Sequence, residues 1–433
     1  MPNTENSSRA SLKFLLRALH SRNYRLFFGG QGLSLIGTWM QQIAISWLAY
    51  RLSDSPFLLG LIGFSGQLPT FLLAPFAGVF ADRFERCRLL MLTQLLSLFQ
   101  ALLLAFLTFT GYIAIWHLVV LSVFLGLVNA LDIPVRQSFV IDLVEDKKDL
   151  GNAIALNSVM FNGARLVGPS IAGLLIGIFG EAVCFLVNGI SFFAIVIALA
   201  AMKVPERSKD SSPKPFFHGL REGYLYTFGF EPIRYIILFL GLISLMGSSY
   251  LVLMPVFARD ILHGGPYTLG FLMGATGIGA LIGAIFLASR KTVRGLGRLM
   301  IIAPLVFGIS LIIFSFSRTM AISLIVMLSA GFGMIVHMAS SNTVLQTIVE
   351  EDKRGRMMSF YTMAFMGMAT FGSLLAGTLA DTIGAPATIG FSGVTCCIGA
   401  VLFSTRLSLI RKLVRPIYIR MGIIREMPTE IQQ

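Results

Sequence analysis

Apolar residues in this chain do not alternate with polar ones; they gather in long runs separated by short polar links. Twelve runs stand out, at 26–50, 57–80, 89–110, 115–132, 156–179, 183–202, 234–257, 268–288, 299–316, 321–341, 359–380 and 387–404. About 20 apolar residues wound as an α-helix cross the roughly 30 Å hydrocarbon core of a bilayer. In lipid the backbone can satisfy its N–H and C=O groups only within such a helix, so each run is predicted to be a transmembrane helix. The predicted fold class is all-α integral membrane, with twelve transmembrane helices.

The longest hydrophilic stretch, 203–233, divides the runs six and six. Its first part, 203–215, is a linker by composition. The part that follows, 216–228, is amphipathic enough to lie on the inner membrane surface. A weak repeat crosses this midpoint. Glu145-Asp146-Lys147-Lys148 returns 206 residues later as Glu351-Asp352-Lys353-Arg354. Gly168-Pro169-Ser170-Ile171-Ala172-Gly173 returns 204 later as Gly372-Ser373-Leu374-Leu375-Ala376-Gly377, and Arg88-Leu89 returns 210 later as Arg298-Leu299. The expected organisation is a cytoplasmic segment 1–25, a six-helix bundle 26–202, a linker 203–233, a second bundle 234–404 and a tail 405–433. Two pseudo-symmetric halves in the same orientation are related by an axis along the membrane normal, and halves so related rock about a mid-membrane site.

Composition agrees with the pattern. Hydrophobic residues are 55% and charged residues 13%, about half the charged share of a soluble domain. The net charge of +13 does not indicate nucleic-acid binding, because the bases sit in short links and not on one soluble face. Thirty of the 34 Lys and Arg fall in the two ends, in every second link or, for Arg234, at the edge of one; Arg51, Arg259 and Arg318 lie in the others, and Arg165 alone lies well inside a run. An excess of Lys and Arg marks the cytoplasmic side, so both termini are expected there. Some 25 residues precede the first run, which is long enough to span, so it is not expected to be a cleaved signal. The four cysteines show neither zinc nor redox spacing, and no phosphate loop or catalytic triad stands out. No metal, cofactor or enzymatic activity is expected.

The link after the second run reads Gly78-Val79-Phe80-Ala81-Asp82-Arg83-Phe84-Glu85-Arg86-Cys87-Arg88. It resembles the G-x-x-x-D-R-x-x-R signature of the major facilitator superfamily. Three further stretches sharpen the match: Asp132 to Phe139, Asn152 to Ser158, and Arg165 to Gly173. With Gly37 to Gln41 they resemble the subfamily of the enterobactin exporter and the macrolide-efflux-like proteins. The second half is looser, since 289–298 has no acid at the place of Asp82. The resemblance implies a proton-driven exporter of small molecules from the bacterial cytoplasm.

Several residues become candidates. Gly78, Asp82, Arg83, Arg86, Asp132 and Arg136 form a candidate gate, with an Asp82–Arg86–Asp132 cluster locking the cytoplasmic side; the alternative for Asp82, Arg83 and Arg86 is a plain solvated turn. An intramembrane Arg is costly and is a functional candidate by default. Arg165 therefore either attracts an anionic substrate or holds a carboxylate at mid-membrane, or it snorkels to the interface. Gln41, Gln67, Asn129, Asn162, Asn188 and Tyr250 are candidates for lining a substrate cavity, or for bonding helices together. Asp132, Glu181 and His337 are the candidates for proton coupling. Gly168, Pro169 and Gly173 serve close helix packing, and in the antiporter-like reading a bend that seals the path.

The expected function is secondary export of a siderophore or related metabolite from a bacterial inner membrane, acting as a monomer. Its expected partners are a small-molecule substrate, the bilayer and the proton gradient, with no nucleic acid. The alternatives are broad macrolide-like drug efflux, a lysophospholipid flippase with a side opening between helices 5 and 8 or 2 and 11, and a receptor using the same fold.

Overall fold

The computed structural model describes residues 17–81, 84–144, 149–202, 216–290, 292–351 and 353–424, with backbone alone over 74–81 and 216–222. The described residues contain no strand. Their long helices are α1 (Arg22–Ser53), α2 (Pro56–Ala81), α3 (Arg86–Phe109), α4 (Ile115–Asp142), α5 (Leu150–Phe179), α6 (Glu181–Ala200), α7 (Phe216–Gly229), α8 (Glu231–Ile261), α9 (Pro266–Ala288), α10 (Leu296–Phe316), α11 (Met320–Ile348), α12 (Arg354–Ile383) and α13 (Ala385–Arg420). Each of the twelve predicted runs coincides with one of them. Eleven helices are both long and apolar enough to cross a membrane. Of the twelve helices that match runs the exception is α1, a 32-residue helix whose run is diluted by Gln31, Gln41 and Gln42.

Several helices outrun their apolar stretches. Helix α4 continues to Asp142, α5 begins at Leu150, α11 ends at Ile348 and α13 reaches Arg420. Hydropathy marks only the lipid-length part, whereas a helix closes its backbone hydrogen bonds wherever nothing breaks it. The tail is thus continuous with the last helix, and Leu407, Ile410 and Val414 are buried along it.

The contacts divide the chain into two compact units, one of Met1–Pro213 with Met254–Gly277, the other of Lys214–Leu253 with Ile278–Gln433. In the first unit, α1 packs on α5 and α6, α3 on α4 and α6, and α2 on α4. Tyr24, Phe27, Leu90, Phe139 and Phe192 form part of its buried core. Glycine sets the closest approaches. A Cβ on Gly168 would stand 2.6 Å from the Trp39 Cβ and 2.9 Å from the Ile36 carbonyl oxygen. One on Gly173 would stand 2.8 Å from both Gly270 Cα and the Pro266 carbonyl oxygen. Pro169 lies buried between them, inside α5.

In the second unit α10 packs against α11 and α13. The ring of Tyr250 lies edge-on to Phe307, and Phe239 stacks on Phe403. Helix α7 was expected on the membrane surface. Among its described side chains, Tyr224 and Phe228 meet Phe360 of α12 and Thr227 is fully buried, while Tyr224 and Leu225 remain exposed.

The repeat seen in the sequence has backbone counterparts. Gly180 and Gly384, 204 residues apart, are each the single residue joining two helices, with φ of 84° and 85°. Asp54 and His263, 209 apart, are the only described non-glycine residues with positive φ, both at 49°. The left-handed region is costly for residues with a Cβ, so its recurrence at matching places marks two turns of the same construction.

Candidate functional site

Arg165 lies 15 residues beyond Leu150 and 14 before Phe179, at the middle of α5. Its guanidinium carbon is 5.7 Å from the centre of the Trp39 ring. Trp39 in turn meets Phe161 edge-on at 6.1 Å. The missing Cβ of Gly168, one turn further on, is what lets α1 bring Trp39 this close to α5. Among the described residues no carboxylate pairs with Arg165. A half-buried cation held by a ring face alone keeps its hydrogen-bond donors for something else.

The amides behave differently. Gln41 is buried, donates to the Gln100 side-chain oxygen at 2.9 Å and accepts from Asn188 at 2.9 Å. Gln100 also donates to the Leu121 carbonyl, and Ser191 donates to Asn188. This network joins α1, α3, α4 and α6 with no solvent face, so Gln41 and Asn188 bond helices together and do not line a cavity. Asn162 donates to the Ser158 carbonyl of its own helix. Gln67 and Asn129 are half-buried. Tyr250 is buried in the aromatic core of the second unit.

At the end bearing the basic links, the expected Arg86–Asp132 contact is replaced by two separate clusters. Arg86 pairs with Asp142 at 2.6 Å. Asp132, buried, accepts from Thr93 at 2.8 Å and Gln94 at 2.7 Å, with Arg136 at 3.4 Å. The reason is register. Helices α3 and α4 run antiparallel, so Arg86 at the start of one is level with Asp142 at the end of the other. Asp132 lies ten residues away along α4, about 15 Å of rise. Asp82 and Arg83 lie outside the described residues, and Gly78 is in the last turns of α2, where only backbone is described.

The opposite end of the first unit carries polar contacts whose only local signal is Pro255. Pro255 lacks a backbone N–H, and the turn after it, Phe257–Ile261, is π-helical. It presents Arg259 to Asp54 at 2.5 Å and Asp260 to the Tyr50 hydroxyl. Beside them Arg51 holds Glu181 through two nitrogens, at 2.7 and 3.2 Å. The buried Glu181 carboxylate is thereby committed to a two-point contact with Arg51. His337 is completely buried, edge-on to Phe239 at 4.9 Å. No described group of His, Cys, Asp or Glu is arranged to hold a metal ion.

The family model described as transmembrane secretion effector matches residues 16–412. The chain belongs to this family of major facilitator transporters. It is 27% identical over 390 residues to the staphyloferrin A transporter of Staphylococcus aureus, covering 88% of this chain and 95% of that one. It is 24% identical over 357 residues to the multidrug efflux pump Tap of Mycolicibacterium fortuitum, covering 80% and 86%. Among solved structures, the nucleoside transporter NupG superposes with a TM-score of 0.68 at 12% identity, covering 90% of this chain and 99% of that one. An inward-facing, occupied bacterial homolog of the human lysosomal transporter Spinster gives 0.63 at 15%, covering 93% and 96%. These structural likenesses speak for the fold alone. As a secretion-effector family member the chain is a multi-pass membrane transporter of small molecules.

Proposed function

We propose that this transporter exports a small anionic metabolite of the siderophore type across a bacterial inner membrane, as a monomer. Arg165 carries the reading. A 30-residue helix is about 45 Å long and the hydrocarbon core about 30 Å, so a helix centred on the bilayer puts Arg165 near the midplane. A charge there, without a carboxylate of its own, is completed by one on the cargo. The similarity to a siderophore transporter points the same way.

In this reading α1 is the twelfth span, with Gln31 and Gln41 buried away from lipid. The basic links face the cytoplasm. The two-fold repeat, with its paired turns at Gly180 and Gly384, supports two halves that rock about a central site. The proton gradient supplies the energy, since the sequence shows no phosphate loop. Asp132, held by Thr93, Gln94 and Arg136, is the carboxylate candidate for coupling near the path.

Broad drug efflux is the second reading. Phe161 is 44% exposed beside Trp39, and such a ring pair would suit an aromatic cargo. The flippase reading needs a side opening, between α5 and α9 or between α2 and α12; Gly173 against Gly270 closes the first of these lines away from the basic end.

Comparative mass spectrometry of cells and spent medium, with and without the gene, tests the proposal. An anionic compound lost from the medium and retained inside in iron-poor culture is the expected result. An unchanged profile together with greater sensitivity to macrolides or dyes would replace it with drug efflux.

A further inference from the structure

Helix α11 and the start of α12 border an open depression of about 470 Å³ that the central site does not use. Asn342, Thr343, Gln346 and Thr347 line it from one face of α11, Arg354 from the first turn of α12, and Met421 from just beyond α13. The other face of α11 at this level is apolar and buried, through Val344, Leu345 and Ile348. A polar stripe alone would be an ordinary solvated face. Two observations set this one apart: it is concave, and it contains an unsatisfied cation.

Arg354 ends the second copy of the repeated acidic-basic motif, at the place of Lys148 in the first. Its Nε is closed off from solvent and has no hydrogen-bond partner. No ion pair of its guanidinium is found among the described residues. The base beside it is already committed, for Lys353 pairs with Glu350 at 2.6 Å and lies over the Tyr226 ring. Buried donors left without acceptors are rare in native proteins and are commonly completed by a bound group. The surrounding chemistry suits a polar one. The Thr343 and Thr347 hydroxyls donate to carbonyls of α11, leaving their lone pairs to accept. Gln346 donates to the Asn342 oxygen at 2.5 Å, leaving its own oxygen to accept.

We propose that this depression is an anion-binding site, in which Arg354 takes a carboxylate or phosphate group of a ligand that also carries hydrogen-bond donors. Its placement on the cytoplasmic face rests on the orientation proposed above; binding itself does not. A soluble metabolite and the phosphate of an anionic lipid headgroup share this chemistry.

The test uses the full chain purified in detergent. Citrate and inorganic phosphate are titrated calorimetrically, and retention of phosphatidylglycerol against phosphatidylcholine is read by native mass spectrometry from mixed nanodiscs. Arg354→Gln and Gln346→Glu are each expected to weaken binding by about tenfold or more. Gln346 is exposed, so Gln346→Glu opposes the anion without disturbing the fold. Arg411→Gln should bind as the parent does. Binding of citrate or phosphate identifies a soluble ligand, and selective retention of phosphatidylglycerol alone identifies a headgroup. The proposal is overturned if the parent binds none of the probes, or if both Arg354→Gln and Gln346→Glu bind them with parental affinity. Loss of transport in Arg165→Gln with this binding intact would separate the two sites.

Discussion

The guanidinium of Arg165 rests on the face of Trp39, 5.7 Å from its ring centre and halfway along α5, and among the described residues no acid pairs with it. A cation–π contact contributes about 0.5–2 kcal/mol and leaves the guanidinium donors available. A charge-assisted bond to cargo contributes about 1.5–3 kcal/mol. Arg165→Gln should therefore weaken binding of an anionic substrate by roughly 10- to 100-fold, while Trp39→Leu costs less, about 2- to 30-fold. Binding to the purified protein checks this. Equal loss for anionic and cationic compounds would remove the selectivity role.

The Gln41–Gln100–Asn188 network makes a prediction of stability that transport does not share. Gln100→Leu removes the acceptor of a buried donor, and an orphaned buried amide costs about 1–3 kcal/mol. Thermal melting in detergent should show a clear drop for Gln100→Leu. Replacing all three amides with leucine should recover part of that loss, because no unpaired polar atom is left behind. A triple variant less stable than the sum of the single ones would contradict this account.

How far these sites could be read from the sequence depends on the range of the interaction. The apolar runs found the helices because spanning lipid is a local requirement, met by each segment alone. The runs understated α5, whose polar first turns lie outside the apolar stretch; that is why Arg165 reads as nearer the membrane surface than its place at the helix centre. Gln41 and Asn188 were recognisable as polar residues in apolar runs. Their common partner Gln100 lies on a third helix, and no pattern along the chain encodes that meeting. Arg86 found Asp142 and not Asp132 because the relative height of two helices is a tertiary property. The pairing of Asp54 with Arg259, 205 residues away, had no local signal except the proline at 255.

That register makes a double-mutant cycle informative. Arg86 and Asp142 are both partly buried, and removing either should make removing the other cheaper by about 1 kcal/mol. Arg86→Gln combined with Asp132→Asn should instead be additive within about 0.5 kcal/mol. Chemical or thermal denaturation of the four proteins in each cycle measures both. Strong coupling in the second cycle, and none in the first, would restore the Arg86–Asp132 latch.

The contacts of Asp54 with Arg259 and of Tyr50 with Asp260 sit where a transporter must open if the cargo leaves at the end opposite the basic links. In the proposed cycle they are made and broken once per turnover. Asp54→Cys with Arg259→Cys, in a background with Cys87→Ser and Cys397→Ser, should cross-link on oxidation and stop export, with recovery on reduction. Gly173 offers an independent handle on the same closure. A side chain there would meet backbone atoms of Pro266 and Gly270, which cannot yield as the tip of a flexible side chain can. Gly173→Leu should lower the cross-linking yield and abolish export, while the protein still folds. Gly163→Leu on the same helix is the control, since a Cβ at Gly163 meets nothing within 4 Å. Export at the parental rate by either the cross-linked protein or Gly173→Leu would mean that this end does not open and close during transport.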